Sequence, residues 1–400
     1  MSTNPIHPQQ AIESAYEVDI AIIGGGTTGT SAAYYAASAG YKTVLFEQYT
    51  IGNNYASSDG ESRMFRIMYS DATMARLAES ALGMWHEIQE YSGVTLLERD
   101  GLLFYGLPAA SVEGNLEQCA QVMSSLGVPY TRYDTTALYQ NYPVFQSLPA
   151  DYFGLSQPSS CMIVVKNSLQ TFCDLAANAG AALLTNCPAT IVSAPPGGPY
   201  VISSPQGLFL AKSLIMAPGA WSNRLFSAFD IQLNLKIWQM TVVFFGVDTS
   251  LPWPMWYEFG PTVDNQQQLF YGFPPLEYPD MIKVSADFTN DIYDDPSQCT
   301  YQPDPVILRA MSNFVGQRFT GISTAPQNPI TCLYTMTPDA QLVLDTLPNY
   351  SNVAVLTGES GRAFKYTPLF GRILVELATT GKSAYDISEF SINRPGIIQS

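Results

Sequence analysis

The amino-acid sequence predicts a mixed α/β protein with two interleaved domains, and three observations support this fold class. An apolar run over 18–23 enters a Gly-rich turn, a helix of small residues and a second apolar run that ends at Glu47. Residues 233–331 are rich in aromatic residues instead and predict a mixed, largely antiparallel β-sheet. Near Val353 an apolar run again enters a Gly turn, so the chain is expected to return to its first domain.

The Gly-rich turn after the first strand is typical of a dinucleotide-binding site. Gly24, Gly26 and Gly29 stand where a tight turn, a close approach of pyrophosphate to the backbone and close helix packing require glycine. The helix beginning near Gly26, with Thr28 in its first turn, offers N–H groups to a phosphate. Glu47 can accept hydrogen bonds from a ribose. An ordinary Gly-rich βα turn is the alternative, but the complete strand, helix, strand and acid unit favours the dinucleotide site.

Net charge and hydropathy exclude several classes of function. The formal charge is −16 with only 18 Lys and Arg residues, which argues against binding of nucleic acid. Residues 1–16 are mostly polar and predict a flexible tail rather than a signal peptide. No apolar run approaches the roughly 20 residues that a membrane helix needs. The expected location is therefore cytoplasmic, without a membrane partner.

The cysteines and histidines exclude other chemistry. Six cysteines are scattered without CxxC pairs, which predicts neither a zinc site nor a disulfide framework, and no metal is expected. The two histidines are His7, in the tail, and His86, on a predicted helix. Because neither lies in a catalytic motif, a Ser-His-Asp or Cys-His hydrolase is excluded.

The remaining elements follow from apolar periodicity and from Gly and Pro breaks. The predicted elements are helix 73–91, strand 101–106, helix 111–126, loops and short strands over 143–158, helix 169–179, a small meander of strands around Leu183, Ile191 and Val201, strand 212–217 with a second nucleotide-domain turn at 218–221, helix 305–315, strand 353–358 and helix 368–378. The aromatic residues of 233–331 predict the core of a sheet, and one face of that sheet is expected to cover a flat cofactor.

Three separate segments resemble the monomeric sarcosine oxidase family of FAD amine oxidases, which includes N-methyltryptophan oxidase. They are residues 24–66, the Cys-x-Tyr-Thr segment 331–335 with Asp339, and residues 358–365 continuing to 386–388. Residues 363–372 look closer still to the piperideine-2-carboxylate oxidase of nikkomycin biosynthesis, another member of the family. Weaker similarity extends from Val18 to Pro395.

The resemblance implies FAD in a glutathione-reductase-like Rossmann domain over 17–97, 160–233 and 338–400. It implies a substrate domain over 98–159 and 234–337, and a monomer whose partners are an amino-acid substrate and O2. Gly358 and Gly361 would contact the cofactor. Cys332 matches the family's cysteine joined through sulfur to the flavin 8α-carbon, whereas composition alone would suggest a small buried hydrophobe.

The resemblance also assigns roles to four scarce cations. Arg63 and Arg66 match an arginine pair in the loop above the flavin, and Lys365 matches the lysine near the far side of the pocket, where it is expected to contact the cofactor as well as the substrate. Arg66 and Lys365 would clamp the substrate carboxylate, one as a planar fork and one as a point charge. Lys283 matches the lysine that helps oxygen to accept electrons. The alternatives are ordinary surface cations and, for Lys283, a lysine on an edge strand.

Around the substrate the sequence both matches the family and departs from it. Tyr271 and Tyr334 match the aromatic residues beside the reacting carbon. Trp256 replaces a methionine of the sarcosine pocket, and Asp287 and Arg362 replace histidines. Asp287 and Arg362 could neutralise each other or bind a second polar group of a larger substrate, and both interpretations stay open.

These residues predict oxidation of a carbon–nitrogen bond in a secondary or cyclic amino acid, giving an imine and hydrogen peroxide. Two alternatives remain. One is a dehydrogenase of the same fold that uses a non-oxygen acceptor, and the other is a flavin-binding protein without amine turnover. The carboxylate clamp speaks against the second, because a binding module does not require it.

Overall fold

The computed structural model describes residues 15–98, 101–108, 114–263 and 266–399, without the side chain of Gln266. The described residues divide into two compact units. Unit 1 comprises the described parts of Met1–Ser58, Ser168–Lys236 and Thr335–Ser400, and unit 2 comprises those of Asp59–Asn167 and Ile237–Tyr334. The predicted tail over 1–16 lies almost wholly outside the described residues.

The strands and helices are numbered here in chain order. The strands are β1 (Tyr16–Ile23), β2 (Thr43–Phe46), β3 (Ser62–Phe65), β4 (Leu97–Glu98), β5 (Leu102–Gly106), β6 (Thr131–Asp134), β7 (Phe153–Gln157), β8 (Cys161–Val164), β9 (Ala182–Leu184), β10 (Thr190–Ser193), β11 (Tyr200–Ser204), β12 (Gly207–Met216), β13 (Lys236–Gly246), β14 (Trp256–Val263), β15 (Gln266–Phe273), β16 (Met281–Ala286), β17 (Ile292–Tyr293), β18 (Gln327–Met336), β19 (Val343–Leu347) and β20 (Tyr350–Thr357). The α-helices are α1 (Thr27–Ser38), α2 (Ala72–Ser92), α3 (Leu116–Leu126), α4 (Thr135–Asn141), α5 (Val165–Asn178), α6 (Ser222–Phe226), α7 (Pro305–Arg318) and α8 (Thr367–Thr380).

Unit 1 is built on a sheet with a parallel centre. β1 lies between β2 and β12, parallel to both, and β20 and β9 extend the parallel part at either side. β2 is buried at all four positions, as strands covered on both faces are. α1 and α8 pack so closely that a Cβ at Gly371 would lie 2.3 Å from Ser31 Oγ. This sheet carries the Gly-rich turn at the carboxyl end of β1, where α/β folds bind ligands.

Unit 2 is built on a larger sheet of mostly antiparallel strands. Its described order is β17-β13-β16-β15-β14-β5-β7-β6, with β18 beside β13. β14 and β5 run parallel, whereas the other neighbours along this order whose register is described run antiparallel. β16 lies between β13 and β15, so Lys283 is not on an edge strand.

One face of the unit 2 sheet packs against α7 in an apolar core. Trp256 contributes to this core, with its ring centroid 5.5 Å from Phe314 and 5.0 Å from Phe319. A buried ion pair lies in the same unit, because Arg318 donates to Glu258 through Nε at 2.6 Å and Nη2 at 2.7 Å. Pairing compensates the cost of burying both charges.

The structural units differ from the predicted domains mainly over 59–97 and 160–167, and also over 234–236 and 335–337, which belong to unit 1. The sequence assigned 59–97 and 160–167 to the FAD domain, but they belong to unit 2. The reason is that β3 and β4 pair with β8 in a small sheet, and that Ser62 of β3 ties this sheet to Glu277 and Lys283 of unit 2. The arginine-bearing strand β3 is thereby joined to unit 2 rather than to the Gly-rich turn.

The predicted fold class is confirmed, with a parallel Rossmann-like sheet in one unit and a largely antiparallel sheet in the other. One local prediction was wrong and one helix was not predicted. The strand near Leu183 is β9, which pairs with β2 rather than joining the meander of β10, β11 and β12. Helix α4 was missed within a segment that carries no strong apolar stripe. The predicted helix 111–126 begins at Leu116, because Asn115 caps it by accepting from Gln118 N, and 111–113 lie outside the described residues.

No helix in the described part of the chain is both long enough and apolar enough to cross a bilayer.

Candidate active site

The Gly-rich turn of unit 1 has a backbone that only glycine allows. Gly24 has φ +111°, and a Cβ there would lie 2.2 Å from the Ala217 carbonyl oxygen. A Cβ at Gly29 would lie 1.8 Å from the carbonyl oxygen of Gly24. These close approaches bring the start of α1 directly against the end of β1, as the dinucleotide-binding pattern requires.

The same turn leaves groups suited to a dinucleotide. Gly26 precedes α1 in an extended conformation and has no side chain to cap the first turn. Thr27 N donates to Ser58 Oγ at 3.2 Å, and the other N–H groups of the first turn suit a phosphate. Glu47 is 8% exposed, and its two oxygens accept from Gly25 N at 2.7 Å and Tyr49 N at 2.9 Å. A carboxylate has about four acceptor positions, so acceptor capacity remains for ribose hydroxyls. This arrangement fits FAD.

A second tight turn of unit 1 follows β20. Gly358 has φ +60° and Gly361 has φ +74°, and a Cβ at Gly358 would lie 2.4 Å from Thr337 Cγ2. Ser360 holds the turn by donating its N–H to the Thr335 carbonyl oxygen at 2.9 Å. The turn is thereby fixed to the end of β18, at the threonine of the Cys-x-Tyr-Thr segment.

Two predicted site residues, Arg362 and Lys365, and the acid Glu359 lie in this turn or directly after it. Lys365 is 7% exposed and donates to the Arg362 carbonyl oxygen at 3.0 Å, so it is not an ordinary surface cation. Arg362 is half-buried. Burial raises the pKa of the Glu359 carboxyl to about 7, a feature that the sequence analysis missed.

Lys283 of unit 2 is buried among polar partners and one ring. Its Nζ donates to Glu277 Oε1 at 2.8 Å, to the Ser62 carbonyl oxygen at 3.1 Å and to Ser62 Oγ. It also lies 4.3 Å from the centre of the Phe273 ring. Burial lowers the pKa of Lys283 to about 8, although the Glu277 carboxylate acts to raise it. The ammonium therefore loses its proton within an accessible pH range.

Arg66 of unit 2 lies in an aromatic cage. Arg66 comes directly after β3 in the sequence, and the residue is only 4% exposed. Its Cζ lies 4.4 Å from the ring centre of Tyr69, 4.9 Å from that of Phe104 and 5.9 Å from that of Tyr257. Aromatic faces stabilise the cation and exclude water, which strengthens its interaction with any anion that enters.

A group of tyrosines continues from this cage. The rings of Tyr257 and Tyr271 are stacked with centres 5.9 Å apart, and the hydroxyls of Tyr271 and Tyr334 are 3.1 Å apart. Tyr257 donates to Asp287 Oδ2 at 2.7 Å. Burial raises the pKa of Tyr271 to about 12 and raises that of Tyr334 well above its usual range. Both phenols are therefore neutral hydrogen-bonding groups at physiological pH.

Cys332 and Arg63 lie in the same unit as this group. Burial raises the pKa of the Cys332 thiol, while the positive charges of Arg63 and Lys283 act to lower it. Arg63 is held by its own loop, donating through Nη2 to the Asp59 carbonyl oxygen at 2.7 Å and through Nη1 to that of Ser62 at 2.9 Å. Cationic neighbours favour the thiolate, which is the reactive form of cysteine.

Comparison with known proteins identifies the family. Residues 19–377 match the family described as FAD dependent oxidoreductase. The chain belongs to this family. It is 26% identical over 380 residues to the monomeric sarcosine oxidase of Bacillus sp. (strain NS-129), covering 95% of this chain and 97% of the relative. It is 27% identical over 385 residues to the peroxisomal sarcosine oxidase of Homo sapiens, covering 94% and 96%.

A solved structure agrees with these relatives. NikD, described as an unusual amino acid oxidase essential for nikkomycin biosynthesis, superposes in its open form with a TM-score of 0.85. Its sequence is 26% identical, and the match covers 94% of this chain and 98% of NikD. The chain is thus a flavin-dependent oxidase of the sarcosine oxidase type that acts on CH–NH donors. The predicted family, enzyme class and FAD cofactor are confirmed at this level.

Within this family member, unit 2 gathers most of the predicted substrate residues, and unit 1 holds most of the predicted cofactor residues. Unit 2 contains Arg63, Arg66, Tyr271, Lys283, Asp287, Cys332 and Tyr334. Unit 1 contains Gly24, Gly26, Thr28, Gly29, Glu47, Gly358, Gly361, Arg362 and Lys365. The catalytic and binding roles of these residues stay predictions.

Trp256 needs a correction, because the structure places it away from the predicted pocket. It is fully buried in the apolar core against α7. Successive residues of a strand point to opposite faces, so the neighbouring Tyr257 faces the Arg66 group instead. No site role was predicted for Tyr257, Phe104, Tyr69, Ser62 or Glu277. An acid six residues before Lys283 was the one signal that could have indicated Glu277.

Proposed function

We propose that this enzyme oxidises the carbon–nitrogen bond of a secondary or cyclic amino acid and passes the electrons to O2. The observation that carries the proposal is the caged Arg66 guanidinium beside the Tyr257 ring, which stacks on Tyr271, whose hydroxyl lies 3.1 Å from that of Tyr334. FAD, when bound, supplies the two-electron acceptor for the amine and the two-electron donor for oxygen. The protein residues bind and orient both reactants.

Arg66 would hold the substrate carboxylate. A guanidinium matches a carboxylate with two parallel hydrogen bonds, and the cage of Tyr69, Phe104 and Tyr257 keeps water from competing for them. Lys365 is proposed as a second carboxylate ligand from the resemblance alone.

The tyrosines would receive the amine. The Tyr271 and Tyr334 hydroxyls can donate to or accept from the nitrogen. Burial among aromatic rings disfavours an ammonium by desolvation, although the negative Asp287 carboxylate that acts on both phenols opposes this effect. A neutral amine keeps the lone pair that assists oxidation of the adjacent carbon. The substrate loses two electrons and two protons and becomes an imine, so no histidine base is needed.

Lys283 would assist the reduction of oxygen. O2 takes up two electrons and two protons to form hydrogen peroxide, and negative charge develops on oxygen at the first electron. A preorganised ammonium stabilises that charge. The pKa of Lys283 is about 8, so we expect this assistance to be complete well below pH 8 and to be lost as the pH rises above it.

The substrate is proposed to be larger than sarcosine. Asp287, held by Tyr257 at 2.7 Å, introduces an acidic acceptor beside the aromatic group. A ring-containing amino acid could stack on the tyrosines and present a donor to this carboxylate. A site whose buried polar groups are matched by one substrate rejects another that leaves them unpaired.

Steady-state oxygen uptake tests this proposal. We expect higher kcat/KM for proline, pipecolate, piperideine-2-carboxylate or N-methyltryptophan than for sarcosine, with peroxide formed in step with oxygen consumed. A clear preference for sarcosine would contradict the substrate class. Flavin reduction by these compounds without rapid reoxidation in air would instead indicate a dehydrogenase with a different acceptor.

Cys332 is proposed to attach the FAD covalently through its sulfur. The support is its motif and the cations Arg63 and Lys283, which favour the thiolate. After acid precipitation we expect the yellow colour to stay with the wild-type protein and to be released from Cys332→Ser. Cys187→Ser, which removes another buried thiol, is the control and should retain the colour. Free FAD from the wild-type protein would refute the attachment.

The predicted cytoplasmic location and monomeric state stay predictions. One relative is a peroxisomal enzyme by name, so the family does not determine the compartment.

A further inference from the structure

A buried acid, Glu277, accompanies the buried Lys283. Glu277 lies in the connection between β15 and β16, six residues before the lysine. Its side chain is 8% exposed and that of Lys283 is 7% exposed, so both charges are largely removed from water. Burying a charge is costly unless it is paired and hydrogen-bonded. A second buried charge at this place therefore requires a physical reason.

The contacts show that the pair is linked through Ser62 as well as directly. Lys283 Nζ donates to Glu277 Oε1 at 2.8 Å, and Ser62 Oγ donates to the same oxygen at 2.9 Å. Ser62 also accepts from Lys283 through its carbonyl and hydroxyl oxygens. The lysine, the acid and the serine thus form a closed hydrogen-bonded triangle that limits where the ammonium can lie.

The groups around this triangle shift the pKa of Lys283 in opposite directions. Burial disfavours its charge, and Arg63 on β3 adds repulsion. Glu277 acts against both, and Phe273 presents its ring face to Nζ. The Cys332 thiol on β18 also acts on the pKa of Lys283 as long as it is not attached to flavin. Although burial acts to raise the pKa of Glu277, the charge and hydrogen bond of Lys283 lower it. Glu277 is thus ionised and is the main group that favours the charged lysine.

We propose that Glu277 is a positioning residue whose carboxylate keeps the Lys283 ammonium charged and in place, so that it is available when oxygen is reduced. This inference rests on the oxygen role proposed for Lys283. It adds that a lysine at this depth cannot keep its proton at neutral pH by itself, and that the enzyme's oxygen reactivity at neutral pH depends on an acid in a neighbouring loop.

The decisive variant is Glu277→Gln, which keeps the shape of the side chain and removes its charge. Loss of an opposite charge in contact lowers a lysine pKa by about 1–3 units. We therefore expect the pH above which reoxidation slows to fall by about 1–3 units in the variant. At a pH low enough to protonate the lysine in both proteins, the reoxidation rates should be similar. A rate lowered equally at all pH values, with an unchanged midpoint, would indicate a merely structural role and overturn the inference.

A second readout does not depend on catalysis. The chain has seven lysines, so holoenzyme labelled with ¹³C at lysine Cε gives a small set of signals, and Lys283→Met identifies the one from Lys283. Titration of that signal should give a lower pKa in Glu277→Gln than in the wild-type protein. Glu277→Asp keeps a carboxylate on a shorter side chain, so its Lys283 pKa should lie between those of Glu277→Gln and the wild-type protein. An unchanged Lys283 titration in Glu277→Gln would contradict the proposal.

Glu117→Gln is the matched control, because Glu117 pairs with Arg132 on the exposed surface of the same unit. It should change neither the reoxidation profile nor the lysine titration. The outcomes distinguish a failure of the oxygen role of Lys283 from a failure of the positioning role of Glu277. If Lys283→Met leaves reoxidation unchanged, the proposed oxygen role of the lysine fails. If Lys283→Met slows reoxidation while Glu277→Gln leaves both midpoints unchanged, only the role of Glu277 fails.

Discussion

Replacing Lys283 with methionine is expected to slow reoxidation of the enzyme by oxygen about a hundredfold, with little effect on reduction by substrate. A single preorganised charge that stabilises developing negative charge contributes about 3 kcal/mol. The charge is needed when oxygen accepts an electron, whereas the substrate is oxidised in a separate half-reaction. Stopped-flow absorbance of the flavin, recorded for each half-reaction, measures the two rates independently.

The pH dependence gives a further check on the same variant. The wild-type reoxidation rate should fall as the pH rises through about 8, where Lys283 loses its proton, and the Lys283→Met rate should not show this step. Lys166→Met is the control, since Lys166 also pairs with a glutamate but its side chain is 68% exposed. Equal impairment of reduction and reoxidation in Lys283→Met would contradict an oxygen-specific role.

Replacing Arg66 with alanine is expected to weaken the binding of a carboxylate ligand by at least about tenfold. A hydrogen bond to a charged group contributes about 1.5–3 kcal/mol, and the cage around Arg66 prevents water from taking over that interaction. Titration of the flavin spectrum with benzoate, an acid that has no amine to oxidise, measures the dissociation constant.

Arg66→Lys separates charge from geometry. It keeps a cation but loses the planar fork, so its affinity should lie between those of the wild-type protein and Arg66→Ala. Arg132→Ala is the control, because Arg132 also lies over a ring, 4.0 Å from the centre of Phe153, but is exposed and paired with Glu117. Unchanged benzoate binding in Arg66→Ala would place the carboxylate site elsewhere.

Local pattern was sufficient for most elements of the fold. β1, α1 and β2 were predicted because apolar periodicity and Gly breaks act over a few residues. Strand partners were harder to predict, since β9 is far in sequence from β2 and pairing depends on contacts across the chain. The placement of 59–97 in unit 2 depended on the pairing of β3 with β8, which is equally non-local.

The site residues likewise divide into those that local motifs predicted and those that depended on the tertiary structure. The resemblance pointed to Arg66, Lys283 and Cys332, because short motifs surround each of them. It also pointed to Trp256, which the structure places in the core. A one-residue difference decides which face of a strand a side chain occupies, and composition cannot distinguish Trp256 from Tyr257 in an aromatic run.

By itself the sequence determined the dinucleotide turn, the alternation of domains and the family, because glycine geometry and motif spacing are local properties of the chain. Only the tertiary structure decided which groups surround the charges. Glu277 is near Lys283 in sequence, but Ser62, 221 residues away from it, completes the triangle that holds the ammonium. Burial, and with it the pKa of Lys283, arises when distant segments exclude water together, and no window of sequence contains that information.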